Sequence, residues 1–575
     1  MKPPFGIFTV QLILSLLLVF STACSSVNIN SQDAHIRGRT AVTPELETLY
    51  QPEKGTSNYQ RLAKHNVMVM SWYQAHEKPF YHDQAANFPK TCLALSGGGI
   101  RAAAHSIGVM KGLAEKGILQ NMDIISAVSG GAYALSWFYT KNSLENVVEK
   151  MFAEDKYIEE LASRADMYTA LDFVQSFFLD TAFIPVNFFA NGVFGWHANT
   201  TPSRANYEYE IRHLFQGGEP YSFNEIAKWI KENNLPYFII NTTARIDDDM
   251  FHHGSKLSNS VFEFTPLRFG SDAFGYGYTG ETDFPFDFSR AVSVSGAAAD
   301  SSAVAGDSQK LLVSLLNHDL GYYINNYTEY YRKKKAWWTR LVPFPFYFLG
   351  PHYLRDKSGT DIYLTDGGHS ENLGAFSIIR RACETIFIVD SEYDPKYLFE
   401  SYFKLKQALK DEMGVDLMVP EIDEVGRQLV CRVEGERGCV GVSETKGQKQ
   451  FDRGVAVVKG EISAFPLVDP DYPNMIKEKS LSIIYIKLAI DEAQMAPLVD
   501  EPELVGEKVK AIERFGEIPV EYYIKSQKGD CGNIILKCAF PQYSTVDQSY
   551  TDEQFRAYVD LGYHNVLNSP LIPKQ

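Results

Sequence analysis

One serine, three glycines and one aspartate carry the chemistry that this sequence can offer. Ser129 stands in Ile124-Ile125-Ser126-Ala127-Val128-Ser129-Gly130-Gly131-Ala132, where an apolar, β-branched run breaks into small residues. The run reads as a buried strand, and the residues from Ala132 to Trp137 read as the start of a helix. A serine on such a strand-to-helix turn is lifted out of the backbone. It is presented near the helix N-terminus, where developing negative charge is stabilised. Tight turns need small neighbours: Gly131 supplies one, and Ala127 stands two residues before the serine, where such elbows carry glycine. A turn used only for packing is the competing reading of the same residues.

Upstream, Thr91-Cys92-Leu93-Ala94-Leu95-Ser96 resembles a strand that runs into Gly97-Gly98-Gly99-Ile100-Arg101 and then a helical stretch. Three consecutive glycines bring bare N–H groups up to a ligand and form an anion nest. A nest beside a reactive serine suits a tetrahedral oxyanion, for which one lost donor typically costs roughly 3–4 kcal/mol. No Gly-Lys-Ser/Thr follows, so a nucleotide-phosphate loop is the weaker reading. Downstream, Asp361-Ile362-Tyr363-Leu364-Thr365-Asp366-Gly367-Gly368 reads as a strand ending in a carboxylate and a glycine turn. That places Asp366 at a ligand-facing strand end. Alone it would be an ordinary Asp-Gly turn. Together the three segments supply a nucleophile, an anion nest and a base. A serine hydroxyl needs a base, and a partly desolvated Asp366 can serve.

These three motifs, in this order, resemble the patatin-like phospholipases and, more distantly, the cytosolic A-type phospholipases. The resemblance includes His105 and Gly108 behind the glycine loop. It extends to Phe264-Thr265-Pro266-Leu267, Gly270-Ser271, Ser295–Ala299 and Phe540–Gln548, with Phe555 and Leu561-Gly562-Tyr563 after them. It implies an α/β fold, a three-layer sandwich around a mostly parallel central sheet, with a C-terminal extension packed on that core. It also implies a cofactor-free, metal-free lipid acyl hydrolase working through a Ser–Asp dyad. In that reading Ser129 is the nucleophile, Asp366 the base, and Gly97, Gly98 and Gly99 the oxyanion donors. Arg101 is then the arginine that contacts substrate phosphate. A second reading is a lipid-binding or scaffolding envelope lipoprotein whose elbow is impaired by Ala127. A third is an esterase acting on soluble, non-lipid esters.

Among the 13 histidines, His369 follows Asp366 by three residues and is expected to be structural or substrate-positioning. His105 is expected to be buried against the glycine loop. His252-His253 beside Asp247-Asp248-Asp249 lack a helical His-x-x-x-His pair or a closed ligand set, so no metal is expected there.

Residues 1–23 read as a secretion signal, with Lys2 ahead of an apolar core from Val10 to Phe20. Ser21-Thr22-Ala23-Cys24 resembles a lipoprotein processing site, which makes Cys24 the lipidated residue. Ser25 rather than aspartate after it points to the outer membrane. Of the seven cysteines, Cys431/Cys439 and Cys531/Cys538 are spaced for small disulfide loops. Cys92 and Cys383, in apolar strand-like runs, read as buried free thiols.

The 575 residues carry 55 basic and 71 acidic side chains, a net charge of −16, which disfavours nucleic acid and bulk adhesion to anionic bilayers. Membrane attachment therefore falls to a lipid anchor or to apolar loops. Phe173–Phe178 with Phe188, Phe189 and Phe194 reads as core. Lys333–Trp338 with Phe344, Phe346, Tyr347 and Phe348 is balanced between an interfacial loop and a packed one. The expected organisation is a signal over 1–23, a linker and arm over 24–87, a catalytic core over 88–391 and an extension of that core over 392–575.

Overall fold

The computed structural model describes residues 73–574, apart from 168–201, 246–258, 280–285, 299–319, 326–360, 427–450, 469–475, 530–539 and a few shorter stretches. The signal segment, Cys24, the His252-His253 pair, both aromatic segments and the four cysteines spaced for small loops lie outside the described residues.

Among the described residues, eleven strands form one mixed sheet. They are β1 (Thr91–Leu95), β2 (Ile124–Val128), β3 (Tyr237–Arg245), β4 (Asn259–Phe264), β5 (Arg268–Ser271), β6 (Gly275–Tyr278), β7 (Tyr322–Asn325), β8 (Asp361–Thr365), β9 (Thr385–Asp390), β10 (Val457–Val468) and β11 (Ile476–Lys487). Their main order is β10-β11-β9-β1-β2-β3-β4-β5-β6. The centre, β11-β9-β1-β2-β3, is parallel. Strands β10 on one flank and β4, β5 and β6 on the other are antiparallel. Strands β1, β2 and β9 are buried almost throughout, as parallel strands covered by helices on their faces must be. Strands from the last third of the chain thus complete the sheet that begins at Thr91.

Five helices matter for the site: α1 (Gly99–Glu115), α2 (Gly130–Glu145), α3 (Phe288–Ser295), α4 (Phe376–Arg380) and α5 (Asp552–Leu567). Helix α1 is nearly all buried, because α5 packs along it. The packing is close enough that the Gly108 backbone lies against the Val559 carbonyl. At the other edge, Arg381 is fully buried between Glu77 and Glu263, with Nε to Glu77 Oε2 at 2.6 Å and Nη2 to Glu263 Oε2 at 3.0 Å. That pairing fastens Tyr73–Tyr81, expected to belong to the arm, into the core, where Tyr73, Phe80 and Tyr81 are buried.

One expectation is overturned. Cys92 and Cys383 are not free thiols; they form a disulfide between β1 and the residue two before β9, closing a separation of 291 residues. Apolar surroundings said only that both were buried. Their pairing follows from β1 and β9 being sheet neighbours, with Thr91 opposite Thr385. Closing so long a loop stabilises by up to about 5 kcal/mol in the chain-entropy account. Peptide mapping without reduction should recover a cross-linked Cys92–Cys383 peptide, and Cys92→Ala/Cys383→Ala should melt several degrees lower. Two free thiols at these positions would refute the bridge.

Candidate active site

The sheet brings the serine and the aspartate together by a head-on meeting of two strands. Strand β3 has only two edges. One is taken by β4 over Ile240–Arg245. The other is shared: β2 pairs in parallel over Tyr237–Asn241, and β8 pairs antiparallel at Thr243 and Ala244. Val128 lies opposite Asn241 and Thr365 opposite Thr243. Strands β2 and β8 therefore run toward each other along one edge and stop one residue apart. The next residues of each are Ser129 and Asp366. Gly367 lies against the Asn241 carbonyl, and a Cβ on it would stand 3.0 Å from Val128 Cγ1.

Ser129 has φ +50°, a left-handed conformation that a non-glycine residue holds at a cost of about 1–3 kcal/mol. Its surroundings impose it. The Ser129 N–H donates to Ser295 Oγ at 2.8 Å, and the Ser295 hydroxyl donates to the Asn241 carbonyl at 2.6 Å. The Ser129 carbonyl accepts from Ala132 and Tyr133, starting α2. Gly130 is required because a Cβ there would collide with the Gly99 carbonyl. Ala127, by contrast, is an ordinary strand residue, in register with Leu95 and Ile240 and fully buried in the core. Its methyl is accommodated, which removes the sequence argument for an impaired elbow.

The glycine loop joins β1 to α1. Gly98 and Gly99 have φ +137° and +64°, conformations closed to most side chains. Gly97 runs beside the serine: a Cβ on it would stand 3.2 Å from Ser129 Cβ. Of the three glycines expected to donate to an oxyanion, Gly97 must be withdrawn, because its N–H already donates to the Asn372 carbonyl at 2.8 Å. The Ile100 N–H is likewise spent, on Gln548 Oε1 at 3.0 Å. The N–H groups of Gly98 and Gly99 have no protein partner among the described residues. They lie at the positive end of a 17-residue helix, a ready position for an anion.

Asp366 is buried, and its Oδ1 accepts the Gly368 N–H at 2.6 Å, capping the short turn Gly367–His369. The turn is pinned to β3, where the Thr243 hydroxyl lies 3.2 Å from the Gly367 carbonyl and 2.9 Å from Ser370 Oγ. The next residues are held by Glu371, whose buried carboxyl accepts the N–H groups of Leu373, Ala375 and Phe376. Burial pushes its pKa up to about 7, against the lowering effect of those N–H groups.

Arg101 is the second site residue that the structure reassigns. It is fully buried, and its guanidinium faces the protein instead of a substrate phosphate. Nε donates to the Ser391 carbonyl at 3.1 Å, Nη2 to Thr545 Oγ1 at 3.0 Å and Nη1 to the Tyr543 carbonyl. Arg101 ties the C-terminal segment to the glycine loop. His105 is fully buried behind it, with Nδ1 2.7 Å from Ser391 Oγ. Burial, aided by the positive charges of Arg101 and Lys487, pushes its pKa down to about 3. Its Nδ1 is engaged by Ser391, and so depressed a pKa makes the ring a poor proton acceptor. His369 belongs to the short turn that Asp366 caps.

Sequence reasoning missed three residues that hold these parts. Asn241 fastens the elbow strand through Nδ2 to Ser126 Oγ at 2.8 Å and the Ala127 carbonyl at 3.1 Å, while its Oδ1 accepts from Ser377. Its signal was a polar residue ending the run Tyr237-Phe238-Ile239-Ile240. Asn372 packs its Oδ1 against both Gly97 and Gly368, joining the glycine loop to the aspartate turn. Ser295 bridges Ser129 to Asn241. Ser295 stood inside a quoted segment with no role assigned. Among the described residues no cluster of metal-ligating side chains is present.

Residues 93–306 match the model of the family described as patatin-like phospholipase. That stretch contains the glycine loop and Ser129; Asp366 lies beyond it. The chain is 30% identical over 214 residues to cytosolic phospholipase A2 gamma of Mus musculus, across 35% of this chain and 30% of the relative. It is 28% identical over 204 residues to probable lysophospholipase 3 of Schizosaccharomyces pombe, across 32% of this chain and 28% of the relative. The matches thus span less than a third of those relatives' own length. Among solved structures, human GIVD cytosolic phospholipase A2 aligns over 92% of this chain and 66% of its own, at 13% identity and a TM-score of 0.46. Residues 93–306 thus match a patatin-like phospholipase domain, and the chain has distant sequence similarity to cytosolic phospholipase A2.

Proposed function

We propose that this chain is a serine hydrolase that releases ester-linked fatty acids from phospholipids through a Ser129–Asp366 dyad. The observation that supports it most is the head-on meeting of β2 and β8, whose ends lead into Ser129 and Asp366. Ser129 attacks the ester carbonyl while Asp366 takes its proton. The oxyanion is held by the N–H groups of Gly98 and Gly99, and the alcohol leaves with the proton from Asp366. Water, deprotonated by the same carboxylate, then releases the fatty acid from the acyl-serine. No step in this sequence calls for a metal or organic cofactor.

We place the enzyme in the cell envelope, anchored through lipidated Cys24 and more at home in the outer membrane than the inner. A buried disulfide supports an oxidising compartment. No helix among the described residues is long and apolar enough to cross a membrane; in our reading the lipid on Cys24 supplies the attachment.

The test is fatty-acid release from mixed phospholipid vesicles, run beside labelling with a fluorophosphonate that reacts only with activated serines. Wild type should release fatty acid and take the label at Ser129. Asp366→Asn should fold, lose the label and release at least about 10³-fold less, as expected when an activating base is removed. A folded wild type that releases nothing from any lipid ester would end this reading.

A further inference from the structure

The residues around 540–550 lie far outside the stretch matched to the family model, yet they reach the catalytic loop at three points. Arg101 donates to the Tyr543 carbonyl and to Thr545 Oγ1, and the Ile100 N–H donates to Gln548 Oε1. Gln548 is itself fixed, because its amide nitrogen donates to the Thr545 carbonyl. Its carboxamide lies directly over Gly99. Its Oε1 and Cδ stand 2.5 and 2.7 Å from where a Cβ on Gly99 would be.

The first N–H groups of a helix lack intrahelical partners, and its first turn is normally ordered by a side-chain cap from the residue just before it. At the start of α1 that residue is Gly98, which has no side chain and makes no such cap. Three glycines in a row also carry the largest backbone entropy to lose. A loop of this composition needs outside support if its N–H groups are to be preorganised for an oxyanion.

We propose that Gln548 is a positioning residue for the oxyanion donors. It caps α1 from 448 residues away. By taking the Ile100 N–H and covering Gly99, it holds the Gly98 and Gly99 N–H groups toward Ser129. The neutral amide matters. Serine, aspartate and asparagine are the usual caps, but a carboxylate here would set a negative charge beside the oxyanion it is meant to help form. An amide accepts the same hydrogen bond without that charge. This inference rests on the hydrolase reading and adds to it a catalytic duty for the C-terminal segment.

The experiment compares the full chain with Gln548→Ala and Gln548→Glu. It measures kcat and KM on a soluble short-chain p-nitrophenyl ester from pH 5 to 9, with a melting curve for each variant. A soluble ester keeps membrane docking out of the readout. Gln548→Ala should lower kcat about tenfold with KM within about twofold, a fraction of what losing a whole oxyanion donor costs. Gln548→Glu keeps an acceptor for the Ile100 N–H but loses the donor to the Thr545 carbonyl, so it should stay folded and melt no lower than Gln548→Ala. It should lose about 100-fold in kcat at pH 8, with its ratio to wild type recovering as the pH falls and the new carboxyl is protonated. A residue that merely packed would produce no such pH-dependent ratio. Wild-type kcat in both variants would overturn the proposal, as would a flat Glu-to-wild-type ratio or losses that only track the unfolded fraction. Absence of ester hydrolysis in folded wild type would instead overturn the hydrolase reading, and this inference with it.

Discussion

Ser129→Ala is expected to abolish fatty-acid release, with kcat falling on the order of 10⁴–10⁶-fold, as when other catalytic serines are removed. The fold should not follow. The hydrogen bonds that hold Ser129 in place run through its backbone: the N–H to Ser295, the carbonyl from Ala132 and Tyr133. Alanine keeps all of these. Ser129→Gly carries the sharper expectation. The left-handed φ of +50° costs a serine conformational energy that glycine does not incur. Glycine also loses more chain entropy on folding, so the net gain is about 1 kcal/mol at most, or a rise in Tm of roughly 1–2 °C. An inactive variant more stable than its parent would mark the elbow as a place where stability is given up for reactivity. Retained hydrolysis in Ser129→Ala would remove Ser129 from the mechanism.

Arg101→Ala should be strongly destabilising, by about 3–5 kcal/mol, because it strips charged donors from two buried carbonyls and a half-buried hydroxyl. The Ser391 and Tyr543 carbonyls and Thr545 Oγ1 would each lose a partner. The glycine loop would lose its link to the C-terminal segment. Activity should therefore fall by the same factor on a soluble ester and on phospholipid vesicles. Arg101→Lys, with one compact ammonium, cannot span the three acceptors and should recover little of either. The phosphate-contact reading makes the opposite forecast: unchanged Tm, unchanged turnover of the soluble ester, and a raised KM for phospholipid alone. The split between the two substrates decides it.

Much of the frame was legible. Apolar runs leading into serine and glycine gave β1 and β2 nearly to the residue. The elbow and the Asp-Gly-Gly turn were legible because each needs particular small residues at a strand end. What periodicity could not show was direction and partnership. Strand β8 runs antiparallel to β3, and only the shared edge of β3 reveals that Asp366 arrives at Ser129 head-on. Cys92 and Cys383 were recognisable as buried but not as paired, since pairing depends on strand order. Arg101 looked like a phosphate ligand because its motif is local, whereas its partners sit up to 444 residues away. Gly97 looked equivalent to Gly98 and Gly99 until Asn372 claimed its N–H.

The long reach of Arg101 also bears on when activity can begin. Ribosomes deliver this chain from the amino end. The serine emerges early, and the residues that hold its glycine loop, Tyr543 and Thr545, emerge hundreds of residues later. Strand β1 likewise waits for β9, a long-range pairing of the kind that folds slowly. A half-made or truncated chain thus carries a nucleophile without a braced loop behind it. In the proposed mechanism, competence to attack an ester therefore waits until Tyr543 and Thr545 have been made.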